Sequence, residues 1–109
     1  MKEKTREKTE LFTVMVANKR GWKLNPDPEF YKDLVDGLTS NYNRYGYFLC
    51  PCRDSEGSRE ADKDSICPCL WSAPDVEEFG NCFCALYVSE ALAQSGKQPA
   101  SIPDRRYEQ

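Results

Sequence analysis

The chain has 109 residues, which fits a single small domain over 1–109. Hydrophobic residues make up 39% and charged residues 30%, with a mean hydropathy of −0.74, so the core is thin and a staple is expected. A net charge of −3 argues against a nucleic-acid binder, no apolar run is long enough for a membrane span, and the absence of histidine excludes Ser-His-Asp and Cys-His nucleophiles, His-containing zinc sites and His-ligated haem.

Residues 2–20 read as a helix with a charged lead, and this lead has no apolar h-region, so it does not read as a secretory signal. Leu11, Val14 and Met15 form its predicted apolar stripe, with Phe12 and Val16 beside them. This reads as a docking helix, closed by Lys19, Arg20 and Gly21. Asn25-Pro26-Asp27-Pro28 predicts a turn and then a helix, with Asp27 at the N-cap and Pro28 in the first turn. Phe30, Leu34, Leu38, Tyr42 and Tyr45 recur at helical spacing as a buried stripe, and Gly46 ends it.

The stretch 47–52 is short, apolar and extended. Segment 53–64 carries three basic and five acidic residues and reads as a surface excursion with one helical turn after Ser58. A short acidic helix is expected from Ser72-Ala73-Pro74-Asp75 to Gly80, and a last one from Ser89 to Ser95, capped by Gly96. The tail from Ile102 to Arg106 is expected to lie extended on the surface.

All six cysteines fall in three Cys-x-Cys pairs, 50/52, 67/69 and 82/84. A disulfide framework is the weakest explanation, because neighbours in Cys-Pro-Cys cannot easily bridge each other. Structural zinc takes four thiolates, but usually from Cys-x-x-Cys knuckles, and it leaves two cysteines without a role. A [4Fe–4S] cluster also takes four, and the remaining two suffice for one redox disulfide. In an extended segment residues i and i+2 share a face, so both thiols of a pair can reach one centre.

Cys50-Pro51-Cys52-Arg53, Cys67-Pro68-Cys69 and Cys82-Phe83-Cys84-Ala85-Leu86-Tyr87 closely resemble the catalytic (beta) subunit of ferredoxin:thioredoxin reductase. The stretch Pro28–Gly46 followed by Leu49 resembles the family's helix leading into its first motif, and the likeness covers roughly residues 8–90. It implies a mainly α fold: a small compact helical domain whose irregular extended Cys-x-Cys segments surround an iron–sulfur cluster. It implies that Cys50, Cys67, Cys69 and Cys82 hold a [4Fe–4S] cluster and that Cys52 and Cys84 form the redox disulfide. Cys52 is then the thiol that attacks the target, and Cys84 stays beside the cluster and later resolves the mixed disulfide. Arg53 would favour the Cys52 thiolate.

The implied activity is an iron–sulfur disulfide reductase: single electrons pass from a ferredoxin-like carrier, through cluster and disulfide, to a thioredoxin-like protein. The non-enzymatic alternative is a four-thiolate zinc-binding interaction module. One departure stands out. The plant-type motif is Cys-His-Cys, whereas here Phe83 sits between Cys82 and Cys84 and can neither give nor take a proton. Water, Tyr87 or a nearby carboxylate would take over that task. The departure suggests a prokaryotic branch of the family and a cytoplasmic protein. The electron donor is then a ferredoxin or rubredoxin-like protein, the acceptor a thioredoxin or glutaredoxin-like protein, and a variable (alpha) subunit is a further partner. Lys19, Arg20 and Lys23, or Arg105 and Arg106, are the basic candidates for receiving an acidic donor.

Overall fold

The computed structural model describes residues 4–51 and 55–103. Helix α1 spans Arg6–Arg20, capped by the Thr5 hydroxyl on the Lys8 amide and closed by Gly21 in the left-handed region. A two-residue strand β1, Lys23–Leu24, leads to α2, Pro28–Tyr45. As expected, the Asp27 carboxylate accepts from the Glu29 and Phe30 amides, Pro28 opens the helix, and Gly46 ends it. A short helix α3, Arg59–Asp62, runs into a 3-10 turn at Lys63–Ser65. Then come α4, Ser72–Phe79, strand β2, Tyr87–Val88, and α5, Glu90–Ser95. The expected helix after Ser58, the acidic helix closed by Gly80 and the last helix capped by Gly96 are all present. The fold is mainly α, with one antiparallel pair in which Lys23 faces Val88 and Leu24 faces Tyr87.

The first two helices pack through a seam that the apolar pattern does not mark. Thr9, Thr13, Val16 and Ala17 are the buried residues of α1, while Leu11, Val14 and Met15 are exposed at 69%, 41% and 58%. The predicted stripe therefore faces outward. Hydroxyl contacts line this seam: the Thr39 hydroxyl bonds Thr9 Oγ1 at 2.7 Å, and Thr13 Oγ1 meets the Tyr31 hydroxyl at 2.7 Å. Phe12 stacks on Phe48 with centroids 4.4 Å apart, and Arg6 pairs with Asp36 at 2.6 Å. On α2, Leu34, Val35 and Leu38 are buried, whereas Phe30 is exposed at the rim of a groove that it lines with Phe83, Cys84 and Ala85.

The excursion before α3 is tied down at Asp62, which is only 2% exposed. Its carboxylate accepts from the Tyr47 hydroxyl, from Ser55 Oγ at 2.7 Å and from the Glu56 amide at 2.7 Å. At the other end of the chain, Ile102 and Pro103 carry no regular structure, and residues 104–106 of the expected tail lie outside the described residues. No helix among the described residues is long and apolar enough to cross a membrane.

Candidate redox centre

Each cysteine segment is fixed by backbone pairing. The first and second are cross-strand neighbours: Leu49 bridges Ile66, the Cys50 amide donates to the Ser65 carbonyl at 2.9 Å, and the Cys67 amide donates to the Phe48 carbonyl at 2.7 Å. The first segment also leans on α2. Asn41 Nδ2 donates to the Leu49 carbonyl at 2.8 Å, and at Gly37 a β-carbon would sit 3.1 Å from Pro51 Cβ. Glycine inside α2 thus lets the proline loop approach the helix closely.

The third segment departs from the extended conformation expected of it. The Ala85 amide donates to the Cys82 carbonyl at 2.9 Å, so residues 82–85 form a tight turn. Ala85 has φ 65°, the left-handed region. Asn25 Nδ2 caps its carbonyl at 2.8 Å, and the Asn25 amide donates to the Leu86 carbonyl at 2.9 Å. On the far side Asn81, 1% exposed, donates to the Cys82 carbonyl at 2.9 Å and to the Ala100 carbonyl at 3.1 Å. The turn, not alternation along a strand, brings Cys82 Sγ and Cys84 Sγ within 3.8 Å.

These three segments meet in one buried pocket. Cys50, Cys67, Cys69, Cys82 and Cys84 line it together with Ser72, Phe83 and Tyr87. All five cysteines are buried. Cys52 and Arg53 lie outside the described residues. The Tyr87 hydroxyl is 3.4 Å from Cys67 Sγ, Ser72 Oγ is 3.1 Å from Cys69 Sγ, and the Tyr87 amide donates to Cys82 Sγ at 3.4 Å. Among the described residues, no three Cys, Asp or Glu side chains converge closely enough to hold a single metal ion.

The electrostatics follow from crowding sulfurs in a dry place. Burial pushes the Cys67 thiol well above its ordinary value; the Tyr87 hydrogen bond opposes this, and the nearby Cys50, Cys82 and Cys69 add to the rise. Burial likewise raises Cys69, against the hydrogen bond to Ser72. Cys82 is lowered, chiefly by the hydrogen bond from Cys84, which outweighs its own burial. Burial holds the Tyr87 phenol protonated far above its usual range.

The five cysteines that line the pocket are marked by the sequence pattern, but their supports are not. Ser72 reads only as a helix start and Asn25 only as a turn residue, while Asn41, Asn81 and Gly37 carry no local signal. Of the basic candidates, Lys19 and Arg20 border a groove of about 280 Å³ with Met15, Val16 and Pro68, next to the second cysteine pair. Lys23 is exposed on β1, and Arg105 and Arg106 are outside the described residues.

A search among curated proteins finds no match. A protein-family model, the ferredoxin thioredoxin reductase catalytic beta chain, matches residues 1–106. With nearly its whole length matched, the chain belongs to the family of ferredoxin thioredoxin reductase catalytic beta chains and is an oxidoreductase.

Proposed function

We propose that this chain reduces a protein disulfide with single electrons from a ferredoxin-like carrier, holding a [4Fe–4S] cluster on Cys50, Cys67, Cys69 and Cys82 and using Cys52 and Cys84 as its redox pair. The observation that carries this reading is the meeting of five buried cysteines, from three separate segments, in a single pocket.

The donor set fits an iron–sulfur group. Buried thiols that raise one another's proton affinity give up those protons when cationic iron neutralises the resulting charge. A cube meets its four thiolates at four different irons. A lone zinc draws all four to about 2.3 Å from one centre. Zinc leaves two of the six cysteines without a role, whereas a cube with one redox disulfide uses all six, which favours the cube. When bound, the cluster supplies a one-electron store beside the disulfide.

The remaining chemistry belongs to the chain's own thiols. The Cys52 thiolate attacks the target disulfide; a new S–S bond joins Cys52 to one target sulfur, and the other leaves as a thiolate that takes up a proton. The Cys84 thiolate then attacks Cys52 Sγ, which releases the second target thiol and closes Cys52–Cys84. Two one-electron deliveries from the carrier reopen that disulfide. Cys84 is buried beside Cys82 in a rigid turn, which suits a resolving thiol better than an attacking one. Tyr87 directs its hydroxyl at Cys67, so it serves the ligand side of the pocket.

The carrier we propose is a small acidic ferredoxin or rubredoxin-like protein, with Lys19 and Arg20 beside the second cysteine pair as its basic contacts. The acceptor is a thioredoxin or glutaredoxin-like protein. Anaerobic purification with iron, sulfide and zinc analysis tests the reading: four irons and four sulfides per chain are expected, and one zinc without sulfide rejects it.

A further inference from the structure

Two of the pocket's sulfurs touch a hydroxyl. Tyr87, 1% exposed, sits on the β1–β2 pair with its ring against Trp22, centroids 5.4 Å apart, and its hydroxyl reaches Cys67 Sγ at 3.4 Å. Ser72, 2% exposed, is the first residue of α4, and its hydroxyl lies 3.1 Å from Cys69 Sγ. The Ser72 amide donates to the Cys69 carbonyl at 3.0 Å, which fixes the two residues relative to each other. Neither hydroxyl is given a step in the thiol–disulfide exchange proposed above, and both are placed by backbone structure rather than by a flexible stem.

A sulfur bound to iron has no proton left to give, so in each pair the hydroxyl must donate. A donor aimed at a thiolate stabilises whichever state carries more negative charge, and it does so strongly in a water-poor site. Reduction adds one negative charge to the group those sulfurs hold. We infer that the Tyr87 and Ser72 hydroxyls are positioning and tuning residues: each donates a hydrogen bond to a ligand sulfur, Cys67 or Cys69, and so raises the reduction potential of the bound iron–sulfur group. This inference rests on the function proposed above. Hydrogen bonds to ligand sulfurs are a recognised lever on such potentials.

The test is anaerobic redox titration, followed by visible absorption, of the full chain carrying Tyr87→Phe, Ser72→Ala, Ser72→Thr or Tyr31→Phe. Iron content and thermal midpoint are measured beside each titration. Tyr87→Phe keeps the ring against Trp22, and Ser72→Thr keeps a hydroxyl. The Tyr31 hydroxyl meets Thr13 Oγ1 at 2.7 Å, so Tyr31→Phe controls for loss of a phenol. Tyr87→Phe and Ser72→Ala should each bind the electron about tenfold less tightly, equivalent to about 59 mV more negative for one electron. Ser72→Thr and Tyr31→Phe should titrate with the wild type.

Unchanged potentials in Tyr87→Phe and Ser72→Ala at full iron content overturn the inference. Loss of iron from both variants also overturns it, because the hydroxyls then serve assembly rather than potential. If only one assembles, its potential decides. A wild-type chain without iron and sulfide is a different result: it sinks the proposed function, and this inference with it.

Discussion

Asn25, just ahead of α2, donates from its side-chain amide to the carbonyl of Ala85 at 2.8 Å, across sixty positions of sequence. Ala85 holds φ 65° in the turn that carries Cys82 and Cys84, so the buried amide stabilises a backbone conformation that alanine seldom adopts. Two substitutions read this relationship in opposite directions. Asn25→Ala strands a buried carbonyl and should cost about 1–3 kcal/mol. Ala85→Gly relieves the strain and should be neutral or stabilising by up to about 1 kcal/mol. Thermal denaturation followed by circular dichroism measures both. A harmless Asn25→Ala together with a damaging Ala85→Gly would mean that the turn is not built this way.

The threonine seam between α1 and α2 makes a second contrast. Thr13→Ala leaves the Tyr31 hydroxyl without its partner and should lower stability by about 1 kcal/mol. Leu11→Ser and Met15→Ser sit on the outward face and should change stability by less than about 0.5 kcal/mol. Urea denaturation of the three variants checks the order. A larger loss from Leu11→Ser than from Thr13→Ala would restore the apolar stripe as the packing face.

Asp62 predicts an acid limb in stability. Its burial works to raise the carboxyl, but the hydrogen bonds from Tyr47, Glu56 and Ser55 prevail and hold it below its ordinary value of 3.8. A carboxyl lowered on folding contributes stability that is fully present above the unfolded value and is lost as pH falls through the folded one. Stability is therefore expected to be flat in this group above about pH 5 and to decline below about pH 4. In Asp62→Asn the decline should be shallower, from a lower starting point, because the amide makes weaker bonds with the same three donors. Denaturant midpoints at pH 3, 4, 5 and 7 resolve the two curves; parallel curves would show that Asp62 does not drive the acid limb.

The residue roles proposed for the cysteines separate cleanly. Cys52→Ser should retain iron and sulfide and lose disulfide reduction by at least about a hundredfold, since no other thiol is proposed to attack the target. Cys67→Ser should lose cluster and fold together, because metal binding is coupled to folding in a core this thin. Iron analysis and reduction of a thioredoxin-like substrate, run on the same preparations, report both. A Cys52→Ser protein that comes out colourless would move Cys52 from the redox pair to the ligand set.

Much of the scaffold is local chemistry and is legible in the order of residues alone. Asp27, Pro28, Gly46, Gly80, Ser89 and Gly96 bound their helices where expected, because caps and breakers act on the backbone within a few residues. The paired cysteines announce a thiol-based centre, because count and spacing are properties of the chain alone. Three things required the fold. Leu11 and Met15 turn outward because the partners of α1 meet its other face: α2 through two hydroxyl contacts, and Phe48 through stacking on Phe12. The tight turn at Cys82 is held in part by Asn25, sixty positions away, which satisfies the Ala85 carbonyl. Ser72 and Tyr87 become sulfur partners because backbone pairing and the start of α4 place them there. A sequence displays which groups it owns; which of them touch is decided only when the desolvated interior requires every buried polar atom to find a partner.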